Sequence, residues 1–371
     1  METVLFLIVL FLAYANGAND NSKGVATLYG SGTIGYKPAI ALGTAATFAG
    51  SMLSLLLARE LISAFSGERL VPEGVIGNGS FLPAAGLGAA ATVMLAVRLG
   101  LPVSTTHGLV GGLLGAGWMA VGGEVNASRL GGMFFAPLLL SPLAAFALVG
   151  VVYPFFGFLR KRLHITKESC ICIGGRRVLH PAASLPDDRG VYSTAETGLS
   201  VEFGEAAECR SFYSGRFLGI STHKLLDALH VFSALSVSFA RGLNDAPKIA
   251  ALLLASSFAG IHWNLTAVAV AMAAGGLSAR RVAKTVSRRI TPLDHGQGLS
   301  ANLVTALLVI SASRYGVPVS TTHVSVGAIS AVGAIAGRAN AGMIRSIVLA
   351  WLITLPLATA VSAFFYWILA G

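Results

Sequence analysis

The sequence predicts an all-α polytopic membrane protein built from two repeats of inverted topology. Hydrophobic residues make up 54% of the 371-residue chain and charged residues only 11%, whereas about a quarter of the residues in a soluble domain are charged. The mean hydropathy is +0.74, and two short polar motifs each occur twice in the same order. This composition excludes an ordinary soluble domain, and the repeated motifs indicate an internal duplication.

Apolar runs of membrane-spanning length recur along the chain. About 20 apolar residues cross the hydrocarbon core of a bilayer. The runs that approach or exceed this length with few or no charges are Met1–Leu12, Ala39–Ala58, Met133–Leu159 and Met343–Leu369. We do not expect the first run to be a signal peptide, because it lacks a basic n-region and continues into YANGAND rather than a cleavage site. Together with shorter apolar segments, these runs predict about ten to twelve membrane elements.

The two motifs divide the chain into halves. An N-D motif, NGANDNSKG at Asn16–Gly24, returns as RGLNDAPKI at Arg241–Ile249, and an S-T-T motif, PVSTTH, begins at both Pro102 and Pro318. The polar stretch between the halves lacks membrane character. We therefore expect a first membrane repeat at 1–159, a polar linker with a little β-structure at 160–224, and a second membrane repeat at 225–371.

Counting elements and charges predicts the topology. Each half contains five elements: a long segment interrupted at the N-D motif, two further spans, the S-T-T segment and a long final span. Because five is odd, the second half enters from the opposite side. The connector Arg59–Gly79 has a net charge of −1, whereas its counterpart Arg280–Arg289 has five basic residues and no acid, and excess Lys and Arg mark the cytoplasmic side. We expect a multi-pass plasma-membrane protein in a lipid bilayer, with a cytoplasmic linker and both termini outside. Full crossing and a re-entrant hairpin both stay open for the S-T-T segments.

The S-T-T motif has the composition of an anion site. Proline suits a helix start, Ser and Thr are strong N-caps, and the first backbone N–H groups of a helix lack intrahelical partners. Hydroxyls and free amides at a positive helix end favour an oxyanion. One such motif is also what a capped helix needs, but two in matching positions favour a shared site. The hydroxyl residues are Ser104, Thr105, Thr106, Ser320, Thr321 and Thr322.

The N-D motif suits a coupling cation. A carboxylate in a membrane segment costs at least ~2.5 kcal/mol at the helix centre and normally needs a partner. Carboxylate and carbonyl oxygens suit Na⁺, or the carboxylate can bind the proton itself. Lys23 and Lys248 stand three residues after the aspartates and can pair with them or contact the anion. The predicted coupling-ion residues are Asn19, Asp20, Asn244 and Asp245.

Other classes of site are not expected. No nucleotide-binding G-x-x-x-x-G-K-[ST] motif is present, and no nucleophile and base stand together as an enzyme would need. Basic clusters such as Leu159–Lys167 border apolar segments, so nucleic acid is not an expected partner. The three cysteines, Cys170, Cys172 and Cys209, fall in the linker and are expected to be cytoplasmic thiols. We expect no cofactor and no structural metal; the candidate coupling ions are H⁺ and Na⁺, and Na⁺ at Asp20 or Asp245 is the one candidate metal ion.

The motifs resemble those of the inorganic phosphate transporter (PiT) family of secondary anion transporters. The resemblance rests on YANGAND, RGLNDAPK, both PVSTTH blocks and TPLDHGQGLSANL, and it covers nearly all of both halves. It implies inverted repeats and uptake of phosphate with Na⁺ or H⁺, the cation near the two aspartates and the anion near the S-T-T hydroxyls. Apart from the resemblance, inverted repeats with interrupted helices are typical of secondary transporters, whose sites lie near the midplane where the repeats meet and which work by alternating access.

Departures from the family pattern leave alternatives open. Lys23 stands at a usual Asn and Pro247 at a usual Gln. Ala49 stands where an acid or amide is common, and Ala301-Asn302 stands where many members have Ala-Glu, so that Asn302 replaces the acid. We therefore hypothesise that Lys23 takes part of the space of a coupling Na⁺, which would make the chain proton-coupled or coupled to fewer sodium ions. A sulfate permease of the same family is the main alternative, because fewer carboxylates weaken the rejection of sulfate. A membrane-embedded receptor without transport is another, and a homodimer is among the assemblies left open.

Overall fold

The described chain divides into two compact units. A computed structural model describes residues 2–68, 70–166, 169–181, 192–205, 213–254 and 260–371. One unit comprises Met1–Tyr153 with His230–Gly371, and the other comprises Pro154–Leu229. The first unit is helical and contains every residue that the sequence singles out for a site.

The first half of the chain consists of helices. They are α1 (Glu2–Ser31), α2 (Tyr36–Leu57), α3 (Glu60–Phe65), α4 (Glu73–Ile76), α5 (Phe81–Leu99), α6 (Thr105–Val121), α7 (Ala127–Arg129) and α8 (Ala136–Arg162). A 3₁₀ turn (Gly122–Glu124) follows α6, and a π-helical turn (Leu130–Phe135) joins α7 to α8. The residue Gly100 ends α5 in the left-handed conformation, with φ +70°, which only glycine adopts without strain.

The middle of the chain contains a small antiparallel sheet. Its strands are β1 (Ser169–Pro181), β2 (Tyr192–Glu205) and β3 (Tyr213–Ser221), in the order β2-β1-β3. Ser169 pairs with Glu205 and Cys170 pairs with Ser221, and the register shifts near Gly175. Cys170 is a buried free thiol, whereas Cys209 lies outside the described residues.

The second half repeats the order of the long helices of the first. Its helices are α9 (Thr222–Ala250), α10 (Ile261–Gly276), α11 (Arg280–Lys284), α12 (His295–Arg314), α13 (Thr321–Ile335) and α14 (Ala341–Ala370). A 3₁₀ turn (Ala251–Leu253) follows α9, and a π-helical turn (Thr285–Arg289) follows α11. An Asp294 capping box with Gln297 starts α12, which satisfies two N-terminal backbone groups.

The helices have the lengths of a polytopic membrane protein. Among the described residues, six helical spans are long and apolar enough to cross a membrane: Glu2–Ser31, Tyr36–Leu57, Phe81–Leu99, Leu130–Arg162, His295–Arg314 and Ala341–Ala370. The pair Ile261–Gly276 and Arg280–Ser287, bent by 59°, raises the number to seven. The expected ten to twelve elements also included α9, α6 and α13, which are not among these spans. Helix α9 has several charges, and the S-T-T helices α6 and α13 have only 17 and 15 residues.

The predicted interruption of a helix at each N-D motif is wrong. α1 runs unbroken through Asn16–Lys23, and α9 continues past its own motif to Ala250. The polar side chains of α1 bond one another at helical spacing, Asn16 with Asp20 and Asp20 with Lys23. Because these groups find partners on the helix surface, the backbone keeps its own hydrogen bonds and no break is required.

Glycines allow helices from the two halves to pack backbone against backbone. A Cβ added at Gly17 of α1 would lie 2.0 Å from the carbonyl oxygen of Met272, and one at Gly275 of α10 would lie 2.0 Å from that of Tyr14. The same arrangement joins α2 to α9. A Cβ added at Gly50 would lie 2.0 Å from the carbonyl oxygen of Phe239, and one added at Gly242 would lie 2.0 Å from that of Thr47. We name these contacts the glycine crossings. Small residues at such crossings are typical of membrane helix pairs.

Candidate functional site

Each S-T-T segment starts a helix. Ser104 and Ser320 are the N-caps of α6 and α13, with extended backbones. The Ser104 hydroxyl accepts a hydrogen bond from the backbone N–H of His107 at 3.1 Å, and Ser320 accepts one from His323 at 3.3 Å. Each cap satisfies one of the orphan donors at its helix start. The PVSTTH sequence therefore forms, twice, the capped helix start that its composition predicts.

The two helix starts meet inside the membrane unit. The Thr322 hydroxyl donates to the Val103 carbonyl at 2.8 Å, and the Thr106 hydroxyl donates to the Val319 carbonyl at 3.4 Å. Each threonine thus bonds the turn before the other helix. The rings of His107 and His323 lie edge to face with centroids 4.7 Å apart. All six predicted hydroxyl residues are buried: Ser104, Thr105, Thr106, Ser320, Thr321 and Thr322.

Lys23 and Lys248 link these starts in a crosswise manner. The Lys23 ammonium bonds the Val103 carbonyl at 3.1 Å and the Thr322 hydroxyl of the other half. The Lys248 ammonium bonds the Val319 carbonyl at 2.6 Å and the Thr106 hydroxyl of the other half at 3.1 Å. Both lysines are almost fully buried. The structure therefore brings each predicted lysine into contact with one threonine of the S-T-T motif of the other half.

The first aspartate pairs with its lysine, but the second does not. Lys23 bonds both Asp20 and the side-chain oxygen of Asn19, the latter at 2.8 Å. Asp245 instead lies 3.7 Å from the Nε atom of Arg241, one turn earlier in α9. The side-chain amide of Asn16 lies within hydrogen-bonding distance of both carboxylates, 3.3 Å from Asp20 and 3.2 Å from Asp245. The two aspartates therefore share one polar region.

The asparagines of the N-D motifs hold the turns before the S-T-T helices. Asn19 donates to the Leu101 carbonyl at 3.2 Å, and Asn244 donates to the Val319 carbonyl at 3.2 Å. Asn244 also donates to Asp245 at 2.9 Å. We name the polar side chains that α1 and α9 contribute here the N-D cluster: Asn16, Asn19, Asp20, Lys23, Arg241, Asn244, Asp245 and Lys248.

Sequence reasoning missed Arg241 as a member of the site. Its side chain is 1% exposed, and its guanidinium donates to the side-chain oxygens of Asn16 at 2.6 Å and Asn21 at 3.1 Å. It also bonds the Thr47 hydroxyl of α2 at 3.3 Å. The signal was present, because Arg241 is a fixed cation at the start of RGLNDAPK and aligns with Asn16 when the two N-D motifs are superposed.

The second histidine, His323, has structural contacts. His323 donates through Nδ1 to the Leu138 carbonyl at 3.0 Å and stacks on Trp351 with ring centroids 3.9 Å apart. The indole of Trp351 donates to the Pro102 carbonyl at 3.0 Å. These contacts give His323 a structural role and tie α14 to the turn that begins PVSTTH.

Known proteins match this chain along nearly its whole length. The model of the Phosphate transporter family matches residues 16–362. A Pyrococcus abyssi protein named as a phosphate permease is 28% identical over 411 residues, covering 98% of this chain and 96% of that protein. A Mycobacterium tuberculosis protein named as a low-affinity inorganic phosphate transporter is 27% identical over 384 residues, covering 99% of this chain and 78% of that protein.

A solved structure has the same fold. It is described as the sodium-dependent phosphate transporter and has a TM-score of 0.72 and 22% sequence identity. The match covers 100% of this chain and 98% of that one. With the family model matching residues 16–362, the resemblance read from the motifs is confirmed, and the chain belongs to the Phosphate transporter family.

Proposed function

We propose that this protein takes up inorganic phosphate across the plasma membrane by cation symport with alternating access. Membership of the Phosphate transporter family supports the substrate, as do the relatives named for phosphate. Sulfate, the alternative left open by the sequence, is named in none of the matches described above. It enters the test below as a competitor.

The observation that carries the proposal is the crosswise contact of the lysines with the S-T-T threonines. Lys23 bonds Thr322 and Lys248 bonds Thr106, so two ammonium groups and two hydroxyls converge where two helix N-termini meet. Cations, hydroxyls and helix N-termini are the groups that bind a tetrahedral oxyanion. The anion would replace these contacts between the halves, and its binding would thereby change how the halves are joined.

We further propose that the halves are inverted repeats with the site near the midplane. The long helices recur in the same order, and the residues of the glycine crossings correspond at the same spacing of 225 positions, Gly17 with Gly242 and Gly50 with Gly275. The acidic excess at Arg59–Gly79 and the basic run at Arg280–Arg289 support opposite sides for equivalent connectors. In this arrangement both termini lie outside and the 160–224 linker is cytoplasmic.

We propose that transport is coupled to the proton, or to fewer sodium ions than two equivalent sites would bind. The Lys23 ammonium is surrounded by four oxygens, from Asn19, Asp20, Val103 and Thr322. Carboxylate, amide, carbonyl and hydroxyl oxygens are also the ligands of a hard cation. Because the Lys23 nitrogen already lies among these four oxygens, Na⁺ would have to displace it in order to bind there.

Reconstituted uptake tests the function directly. Purified protein in liposomes should accumulate labelled phosphate under an inward H⁺ gradient, and excess unlabelled phosphate should compete more strongly than sulfate. Saturable, strongly cooperative Na⁺ dependence without any response to a pH gradient would contradict the coupling proposal. Stronger competition by sulfate would contradict the substrate, and failure to catalyse counterflow would indicate a receptor rather than a transporter.

Two further sets of variants test the site. Asp20→Asn and Asp245→Asn should each abolish accumulation, because each removes a carboxylate proposed to hold the cation. Thr106→Val and Thr322→Val keep the side-chain shape but remove a hydroxyl, and each should weaken phosphate binding about tenfold. Thr359→Val is the matched control, because within the described part of the chain its hydroxyl bonds only the Leu355 carbonyl of its own helix, at 3.0 Å. Equal affinities in all three threonine variants would refute the anion site.

A further inference from the structure

The buried charges of the N-D cluster do not cancel. Among the described side chains, five charged ones are buried: Asp20, Lys23, Arg241, Asp245 and Lys248. Two are acids and three are bases, so the cluster has a net charge of +1. A proton that moves from Lys23 to Asp20 leaves this sum unchanged, since both belong to the cluster. An excess charge buried in a membrane unit is costly unless an opposite charge compensates it.

The excess originates in the second half of the chain. In the first half, Asp20 and Lys23 balance each other and Asn16 is neutral. In the second half, the charges of Asp245 and Lys248 also sum to zero, but the residue equivalent to Asn16 is Arg241, which adds a positive charge. The guanidinium of Arg241 is shielded from solvent, because its side chain is 1% exposed and bonds α1 and α2.

Arg241 also determines how the two aspartates are shared. It holds the side-chain oxygen of Asn16 at 2.6 Å, which orients the amide nitrogen of that residue toward both carboxylates, 3.3 and 3.2 Å away. The same amide nitrogen lies 3.0 Å from the Thr105 hydroxyl of the S-T-T segment. The surplus cation is therefore two hydrogen bonds from the proposed anion site.

We propose that Arg241 supplies the positive charge that holds the anion, so that phosphate binds to this site without a sodium ion. The inference rests on the proposed function, because it concerns the same anion site. A cluster with a net charge of +1 attracts an anion on its own, whereas a cluster with a sum of zero needs an accompanying cation. Lys23, placed among the oxygens that would hold Na⁺, contributes to the same result from the first half.

Binding to the full-length protein in lipid nanodiscs tests this inference. Calorimetric titration with inorganic phosphate should give the same affinity in choline chloride as in sodium chloride, within about twofold. Phosphate binding that appears only with Na⁺ would overturn the inference and leave phosphate transport intact. Absence of phosphate binding in both salts, together with no phosphate uptake in liposomes, would refute the proposed function and with it the inference.

Charge variants separate an electrostatic role from a structural one. Arg241→Gln keeps a donor for Asn16 but lowers the sum to zero, and it should weaken phosphate binding in choline buffer by about tenfold or more. Arg241→Lys keeps the charge and should retain most of the affinity. Arg241→Gln combined with Asp245→Asn returns the sum to +1, and it should recover affinity relative to Arg241→Gln alone.

The single variant Asp245→Asn provides an independent reading of the charge sum. It raises the sum to +2, so it should increase the affinity for sulfate, a dianion, relative to that for phosphate. Thermal unfolding of each variant shows whether it is folded. If folded Arg241→Gln binds phosphate as the unmodified protein does, or if the double variant binds no better than Arg241→Gln, Arg241 does not supply the binding charge.

Discussion

Replacing Asp20 with asparagine should destabilise the protein strongly. The carboxylate is 1% exposed and pairs with Lys23, which is 2% exposed. Asparagine has nearly the same shape and keeps an oxygen near the ammonium, so little packing is lost. The substitution nevertheless leaves a buried ammonium whose remaining partners are the neutral oxygens of Asn19, Val103 and Thr322.

The expected magnitude follows from this loss of a charge partner. Breaking a buried ion pair by removing one member costs about 3–5 kcal/mol. The Lys23 ammonium retains hydrogen bonds at 2.8 Å to Asn19 and 3.1 Å to Val103, so we expect the lower end, about 3 kcal/mol. Adding Lys23→Met to Asp20→Asn removes the stranded charge and should recover most of that loss.

Thermal unfolding in nanodiscs, followed by tryptophan fluorescence, measures the effect. Asp227→Asn is the control, because Asp227 contacts His223 at 3.1 Å with both side chains partly exposed, and such pairs are worth about 0–1 kcal/mol. The order of Tm should be unmodified protein, Asp227→Asn, the double variant and then Asp20→Asn. If Asp20→Asn unfolds at the same temperature as Asp227→Asn, the buried ion pair is not what stabilises this region.

Three further predictions follow from other contacts. Gly275→Ala should lower the unfolding free energy by about 3 kcal/mol, because its Cβ would lie 2.0 Å from a carbonyl oxygen of α1. The control Gly150→Ala, with open space around it, should be neutral or stabilising. Equal effects of the two variants would contradict the glycine crossing. Ser320→Ala should cost about 1 kcal/mol through the lost cap of α13, measured by chemical denaturation, with Ser320→Thr as the variant that keeps the cap. Trp351→Phe should cost about 1 kcal/mol and speed hydrogen exchange of the S-T-T helix starts, because it removes the 3.0 Å bond to the Pro102 carbonyl; unchanged exchange would show that α14 does not hold that turn.

The helices were predictable from the sequence where a long apolar run sets them. The predicted runs Met133–Leu159 and Met343–Leu369 lie inside Leu130–Arg162 and Ala341–Ala370, because hydrophobicity and length are local properties. The continuity of α1 was not predictable from local polarity. A stretch such as GANDNSK suggests a break, but its side chains find partners on their own helix and on helices distant in sequence, which a linear reading does not supply.

The candidate site was predictable as a set of residue types but not as a network. The two PVSTTH copies indicated two capped helix starts, and Lys23 at spacing i, i+3 from Asp20 indicated their ion pair. The same spacing suggested a pair between Lys248 and Asp245, but Lys248 instead bonds Thr106 and Val319. Arg241 is the reason, because its Nε atom lies 3.7 Å from Asp245 and takes the place of Lys248 beside this carboxylate.

The glycine crossings give the two halves of the chain a joint of a particular mechanical kind. At Gly17, Gly50, Gly242 and Gly275 the contact is backbone against backbone, and backbone atoms cannot change rotamer to absorb a displacement. A shift of α1 is therefore passed directly to α10, and a shift of α2 to α9. The lysines that join the S-T-T segments have long flexible side chains, which can release and re-form their bonds. The halves thus meet through a stiff joint and a compliant one, and the compliant joint coincides with the candidate site.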